Sequence, residues 1–372
     1  MNMHIITNYE ASAGAETMLS RLLRASGERA LVASLIGVSE RNRRLAGERA
    51  RCEALKIRSI GRTITGLGDL AQLIVREQPR VILCWMYHAM VAGVLAQKLS
   101  LRPVPVFWNI RQSLDDPAVL SRSTRVALAL SRRLSHLPAG IIYNSSRALE
   151  LHRQYGFSNR RMEVIPNGFD AMGTQSCVER APRIVGIAAR FHPQKDHDTF
   201  FRAAAIVARK RPDVRFMVVG AGMGADNRAV RNMLEESDLA PESVVLTGET
   251  DDMSGFYRSI DLLVLSSRTE GFPNVIAEAM SHGKPVVATD VGDAAMVVGE
   301  TGEIVPPADP AALAAGMERM LALDPAAYAT RAQAARHRVA EHYSLAAIAR
   351  RYDAFLGTAA GAAGPELRVQ TW

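Results

Sequence analysis

Short apolar runs alternate with longer amphipathic stretches along most of the 372 residues, the pattern of strands separated by helices in a parallel sheet. In the first half these runs predict strands at 3–7, 30–35, 81–84, 104–108 and 140–143, with helices between them such as 16–25 and 91–99. The pattern restarts at 183–188 and continues through 215–219, 243–246, 262–265 and 285–289, after which alanine-rich helices run to about Phe355. Between the halves, Val164-Ile165-Pro166-Asn167-Gly168-Phe169-Asp170 closes a strand in Pro and Asn-Gly turn chemistry, and polar residues without periodicity follow to Pro182. A chain of this length exceeds one ordinary core. The expectation is an α/β protein of two doubly wound domains, 1–168 and 169–355, facing across a cleft that holds the site. The last helix has the option of packing back on the first domain, and 356–372, rich in Gly and Ala, reads as a flexible tail.

Composition changes this picture little. Charged residues make up 22% and hydrophobic ones 48%, ordinary for a globular chain. The net charge of +7 is unevenly spread: residues 1–170 hold 24 Lys and Arg against 13 Asp and Glu (+11), and 171–372 hold 21 against 25 (−4). Arginine clusters such as Arg41, Arg43, Arg44, then Arg132 and Arg133, are compatible with solvated helix faces, with nucleic acid or with an anionic membrane. No aromatic interleaving or nucleic-acid module accompanies them, which favours peripheral membrane contact over nucleic acid. Cys52, Cys84 and Cys177 lie far apart without CxxC spacing, so a reducing cytoplasm fits better than a disulfide framework. The first residues lack a signal-peptide pattern, and no window reaches the roughly 18 apolar residues needed to span a bilayer.

One element carries candidate chemistry. Asp261-Leu262-Leu263-Val264-Leu265 reads as a buried strand, and Ser266 to Pro273 as a loop feeding a helix from about Asn274 to His282, stopped by Gly283. The loop therefore lies at the carboxyl end of a parallel strand, where open α/β sheets bind ligands. A helix N-terminus there offers N–H groups and partial positive charge to an anion. Glu270 precedes the helix and Glu278 lies inside it, so two carboxylates can accept hydrogen bonds from two sets of hydroxyls. On spacing alone, a loop carboxylate and a solvated helix residue are the better explanation of the pair.

The surrounding motifs add a family resemblance. Glu270-Gly271-Phe272-Pro273-Asn274-Val275-Ile276-Ala277-Glu278 resembles the Glu-x7-Glu signature of the retaining glycosyltransferases of family 4 (glycosyltransferase group 1). Arg190-Phe191-His192-Pro193-Gln194-Lys195 is similar to that family's Arg-x4-Lys, Val164–Asp170 to its "VIPNG" strand, and Val286–Thr289 with Gly292 to its "PVVAT…GG" segment. Ser12-Ala13-Gly14-Ala15-Glu16 resembles its Gly-Gly-Ala-Glu loop. Trp85-Met86-Tyr87-His88-Ala89 and Trp108-Asn109-Ile110-Arg111-Gln112-Ser113 resemble segments of bacterial polysaccharide-assembly members. Departures are Ala13 for the first glycine, Ser266 where a proline is frequent, and no acidic residue in Gly220-Ala221-Gly222-Met223.

The resemblance implies a GT-B fold of two Rossmann-like domains and retaining hexosyl transfer from a nucleotide diphosphate sugar, UDP-linked in preference to GDP-mannose. The acceptor would be a glycan or polyprenyl-linked glycan of a surface polysaccharide such as lipopolysaccharide or capsule. It further implies that Arg190 and Lys195 bind the diphosphate, that Glu278 holds the ribose and Glu270 the transferred sugar, and that Gly271, Phe272, Pro273, Asn274 and Val275 complete the sugar and phosphate contacts. Gly14 would approach the phosphates, Thr247 and Gly248 would lie by the base, and His88 and Arg111 would face the acceptor, with His88 also near the reacting sugar. No cofactor and no metal are implied, and the oligomeric state stays open. Two other classes remain: an NAD-dependent oxidoreductase, because Gly220-Ala221-Gly222-Met223-Gly224-Ala225 fits G-x-G-x-x-A with Glu242 about 20 residues on, and a non-catalytic nucleotide-sugar binder on the same fold.

Overall fold

The computed structural model describes residues 1–11, 14–57, 60–170 and 181–357. Its described chain falls into two compact units, each built on one parallel sheet.

The first unit carries β1 (Asn2–Ile6), β2 (Ala30–Ser34), β3 (Ala50–Ala54), β4 (Val81–Trp85), β5 (Val106–Ile110), β6 (Gly140–Tyr143) and β7 (Met162–Val164), in the order β3-β2-β1-β4-β5-β6-β7. The connecting helices are α1 (Gly14–Ala25), α2 (Glu40–Ala46), α3 (Ile60–Glu77), α4 (Tyr87–Leu99), α5 (Arg122–Leu134) and α6 (Ser146–Gln154). Alternate strand residues feed two cores: Met3 and Ile5 pack with α3, α4 and α5, whereas Ile6, Val32 and Leu83 pack with α1. Strand β5 starts two residues later than the apolar pattern predicts, since Pro103 and Pro105 precede it and proline supplies no N–H to a ladder.

The second unit holds β8 (Ile184–Ala188), β9 (Arg215–Val219), β10 (Val244–Gly248), β11 (Leu262–Leu265), β12 (Val286–Thr289) and β13 (Glu303–Val305), in the order β10-β9-β8-β11-β12-β13. Its helices are α7 (His197–Lys210), α8 (Arg228–Ser237), α9 (Met253–Ser259), α10 (Asn274–Ser281), α11 (Ala294–Val298), α12 (Pro310–Leu321) and α13 (Pro325–His342). In both sheets the chain starts in the middle, winds one way, then crosses to the other side. The switch points therefore fall between β1 and β4 and between β8 and β11. Strands β3 and β13 escape the periodicity reading because both are edge strands, one carrying Arg51 and Glu53 and the other only three residues long.

The final helix, α14 (Leu345–Gly357), belongs to the first unit, so the second ends at Ser344 rather than at the expected Phe355. Leu345, Ile348, Tyr352 and Phe355 are buried in the core shared with α1. Tyr352 stacks on Trp85 at 6.5 Å, Phe355 meets Phe107 edge-on at 5.6 Å, and the Arg161 guanidinium lies 4.0 Å from the Phe355 ring. The expected tail start also moves: Leu356 is buried and helical, and only 358–372 of that segment lie outside the described residues, as does Cys177. Among the described residues, no helix is long and apolar enough to cross a membrane.

Two consequences are measurable. Phe355→Ala removes a ring packed on both an aromatic face and a guanidinium, and is expected to cost about 3 kcal/mol or more; the urea transition reporting the first unit should move to lower denaturant. Burial also lowers His4 and His152 to a pKa of about 4 each, so both are neutral in the fold, whereas the unfolded chain titrates near 6.5. Their contribution is fully present above pH 6.5 and falls progressively between 6.5 and 4, by roughly 3 kcal/mol each. Equilibrium unfolding followed from pH 7.5 to 4 should show that loss.

Candidate active site

Every candidate from the second half of the sequence lies at the carboxyl edge of the second sheet. The loop after β8 carries Arg190 and, in a 3-10 turn at Pro193–Lys195, Lys195. The loop after β11 carries Ser266 to Pro273 and delivers the chain into α10. These two strands flank the switch point, the place where open α/β sheets bind ligands.

The two loops are tied together at five places. Lys195 Nζ donates to Glu270 Oε1 at 2.5 Å, and Ser266 Oγ donates to the Lys195 carbonyl at 2.8 Å. The Arg268 amide donates to the Gln194 carbonyl at 2.8 Å, and Gln194 Nε2 returns a bond to the Thr269 carbonyl at 2.7 Å. Arg268 Nε lies 2.9 Å from Asp196 Oδ2. Ser267 Oγ adds a second donor to Glu270 Oε1 at 2.7 Å, so that carboxylate oxygen is doubly held.

A third loop closes on the second. Gly292 has φ +57°, and a Cβ there would sit 2.4 Å from the Gly271 carbonyl oxygen and 2.5 Å from that of Glu270. Only glycine permits this approach. The Asp293 amide then donates to the Gly271 carbonyl at 3.0 Å, and Thr289 Oγ1 to the Ser267 carbonyl at 2.7 Å.

Helix α10 begins directly after Pro273, which occupies the cap position and offers no side-chain acceptor. Its first turn is thus uncapped by side chains, as an anion site at a helix N-terminus requires. Phe272 is buried and anchors the turn by stacking on Phe169 at 6.1 Å and packing on Tyr343. Gly271, Asn274 and Val275 are half-buried. Gly283 ends the helix in the left-handed region, φ +69°, as its sequence position predicts. The Arg190 guanidinium is exposed and makes no hydrogen bond or ion pair among the described residues, so it is a cation available to a ligand.

Glu278 stands one helical turn further on, half-buried. Tyr257, itself buried, donates its hydroxyl to Glu278 Oε2 at 2.9 Å. His282 packs on Tyr257 with ring centroids 5.1 Å apart and lies 3.1 Å from Ser254 Oγ, and burial lowers its pKa. Sequence reading missed Tyr257 altogether, and placed Ser267 and Arg268 in the loop and Gly292 in a motif without giving any of the three a role in this arrangement. Asp196 and His197 are both buried: Asp196 caps α7 from the left-handed region (φ +51°), and His197 stacks on Phe191 and bonds the Arg190 carbonyl at 3.1 Å.

Thr247 and Gly248 end β10 and meet the Gly220–Ala225 loop, with Gly224 bridging Thr247. This glycine loop follows β9, the second strand of its unit, and α8 does not begin until Arg228. A Cβ on Gly220 would lie 2.1 Å from the Ala189 carbonyl oxygen, and the Gly220 amide donates to the Gly248 carbonyl at 2.8 Å. Its glycines let three strand ends converge, and the loop is not at the first strand, where a dinucleotide fingerprint belongs.

In the first unit, Gly14 opens α1 and His88 is the second residue of α4, after β1 and β4 respectively, so both border that sheet's switch point. His88 is half-buried, and burial lowers its pKa. Met86 before it holds φ +68°, an unusual conformation for a side-chain-bearing residue. Arg111 is a strut rather than a free acceptor ligand: it donates to the Ile165 carbonyl at 3.1 Å, to Tyr352 Oη at 3.0 Å, and to Asn109 and Asn167. Burial lowers its pKa. Cys52 and Cys84 are buried free thiols.

This architecture, two doubly wound units with a charged loop pair at a switch point, defines a GT-B-type protein. Its fold matches that of Anabaena HepE solved with UDP (TM-score 0.80, 22% identity, 96% of this chain and all of that one) and of an apo lipopolysaccharide outer core galactosyltransferase, WaaB (TM-score 0.74, 15% identity, 96% and 99%). The family model "Glycosyltransferase Family 4" matches residues 13–172, and "Glycosyl transferases group 1" matches 182–323. The chain belongs to this family of glycosyltransferases. Curated relatives include a D-inositol 3-phosphate glycosyltransferase of Paenarthrobacter aurescens (strain TC1), 29% identical over 199 residues, 49% of this chain and 46% of that protein. Another is the lipopolysaccharide core mannosyltransferase LpsB of Rhizobium meliloti (strain 1021), 34% identical over 135 residues, 34% and 38%. The chain thus spans about half or less of the length of these relatives.

Gly292→Ala should force the second and third loops apart, lowering stability by about 1 to 3 kcal/mol; a thermal melt that stays in place would mean the loops are looser than this geometry.

Proposed function

We propose that the chain is a retaining hexosyltransferase that takes its sugar from a nucleotide diphosphate donor and passes it to a glycan or lipid-linked glycan of a surface polysaccharide. The observation that carries this reading is the Lys195–Glu270 pair joining the loops of β8 and β11, with the free Arg190 and the uncapped end of α10 beside it.

Arg190, Lys195 and the α10 N-terminus are suited to a diphosphate, and their positive charge stabilises the negative charge that grows on it as the anomeric C–O bond breaks. They replace the divalent cation that such charge would otherwise need. Glu270 receives hydroxyls of the transferred sugar, and Glu278, oriented by Tyr257, receives the ribose. With no nucleophilic side chain identified for a covalent intermediate, the acceptor oxygen attacks on the face the diphosphate leaves, and its proton passes to the departing phosphate oxygen. A UDP sugar is the favoured donor, supported by HepE having been solved with UDP and with UDP-glucose. The LpsB relative, a mannosyltransferase, keeps a GDP sugar as the second choice.

In a thermal-shift panel, UDP should raise the melting temperature more than GDP or ADP, in proportion to RT ln(1 + [L]/Kd). Hydrolysis or transfer from UDP-glucose should survive EDTA and fall by at least about a hundredfold in Lys195→Ala and Glu270→Ala. Tyr257→Phe should weaken UDP binding several-fold while leaving the melt of the free protein nearly unchanged. Undiminished turnover in both alanine variants would overturn the assignment.

A further inference from the structure

The two cations of the site are placed by different means. Lys195 is held through its side chain, by Glu270 at 2.5 Å. The exposed Arg190 side chain has no ion-pair or hydrogen-bond partner among the described residues, so its place is set by its backbone. His197, the first residue of α7, brings Nε2 to 3.1 Å from the Arg190 carbonyl oxygen. The Phe191 amide donates to the Ala221 carbonyl at 2.8 Å, and a Cβ on Gly220 (φ +151°) would sit 2.9 Å from the Arg190 amide nitrogen. A Cβ on Gly222 (φ +77°) would lie 3.0 Å from that of Phe191. The glycine loop that fits a dinucleotide fingerprint is thus the surface on which Arg190 and Phe191 are seated, and His197 ties the same dipeptide to α7.

His197 is 3% exposed, its ring lies nearly parallel to that of Phe191 with centroids 6.4 Å apart, and burial lowers its pKa. A neutral imidazole facing a carbonyl carries its proton on Nε2. Nδ1 is then a bare acceptor, and it is buried without a hydrogen-bond partner among the described residues. A ring needed only to fill space has no reason to strand a polar atom, which costs stability; the Nε2 bond is what a phenyl or aliphatic side chain could not supply. We propose that His197 is a positioning residue for donor binding: by tying the Arg190 carbonyl to α7 while the glycine loop backs the next residue, it sets where the Arg190 guanidinium meets the diphosphate. The proposal rests on the reading above in which Arg190 binds that diphosphate. His197 follows Lys195 by two residues, so the bond also links the backbone of one cation to the helix that begins beside the other.

A double-mutant cycle on UDP affinity, measured by titration calorimetry on the full chain, tests it. Arg190→Ala should weaken UDP by about tenfold or more. His197→Phe, which keeps the stacked ring and loses the N–H, and His197→Asn, whose amide falls short of the carbonyl, should each weaken it by about three- to tenfold. His197→Gln, which carries an N–H at the reach of Nε2, should recover most of that loss. In the Arg190→Ala background the His197→Phe effect should shrink to less than about twofold, because the group it places is gone. Melting of the free protein reports packing separately, and Gln should bind UDP more tightly than Phe or Asn whichever variant melts higher. Equal weakening by His197→Phe with and without Arg190 would overturn the proposal and leave the donor reading standing, as would wild-type affinity in both His197→Phe and His197→Asn. Wild-type affinity in Arg190→Ala would remove Arg190 from the diphosphate site, and the proposal with it.

Discussion

A single ion pair organises the second unit's site. Lys195 and Glu270 lie 75 positions apart in sequence, on loops that leave the adjacent strands β8 and β11 and are tied at four further places around the pair. Their side chains are 22% and 11% exposed, so the attraction is less screened than at a free surface, and losing either partner strands the other's charge. The backbone and side-chain bonds around them carry the loops into register, and the glycine at 292 lets a third strand end close behind Glu270. On the proposed reading, a diphosphate arriving at α10 meets a cation already held in place by the carboxylate assigned to the sugar. The proposed donor site is thereby pre-organised, with little ordering left for binding to supply.

The same logic explains which polar residues are conspicuous and which are working parts. Glu270 and Glu278 look alike in sequence, yet one is locked by a lysine and a serine while the other is oriented by a buried tyrosine. Arg190 and Arg111 also look alike, but Arg190 is unpaired and Arg111 is tied to β5, the end of the first unit's last strand and α14. An arginine that satisfies a buried carbonyl and a tyrosine hydroxyl cannot leave them without cost.

Much of this was legible beforehand, for identifiable reasons. Buried parallel strands such as β4 and β11 read as unbroken apolar runs, and Pro273 and Gly283 bracketed α10 by backbone chemistry that acts within a few residues. Arg190, Lys195, Glu270 and Glu278 were expected near one sheet edge because loops that follow parallel strands all leave at the carboxyl ends. What stayed hidden depended on contacts distant in sequence. Tyr257 looks like any amphipathic helix residue until it meets Glu278, and Asp196 is one acid in a polar loop until Arg268 reaches it. The membership of α14 in the first unit, left as an option by the sequence, is decided by packing on Trp85, Phe107 and Arg161, none of which neighbours it along the chain.

The most direct test is a crystal structure of the full chain with UDP bound. The account predicts the diphosphate at the N-terminus of α10, within hydrogen-bond reach of Lys195 and Arg190, with the ribose on Glu278. A nucleotide seated instead along the Gly220–Ala225 loop, with its phosphates away from Lys195, would contradict it.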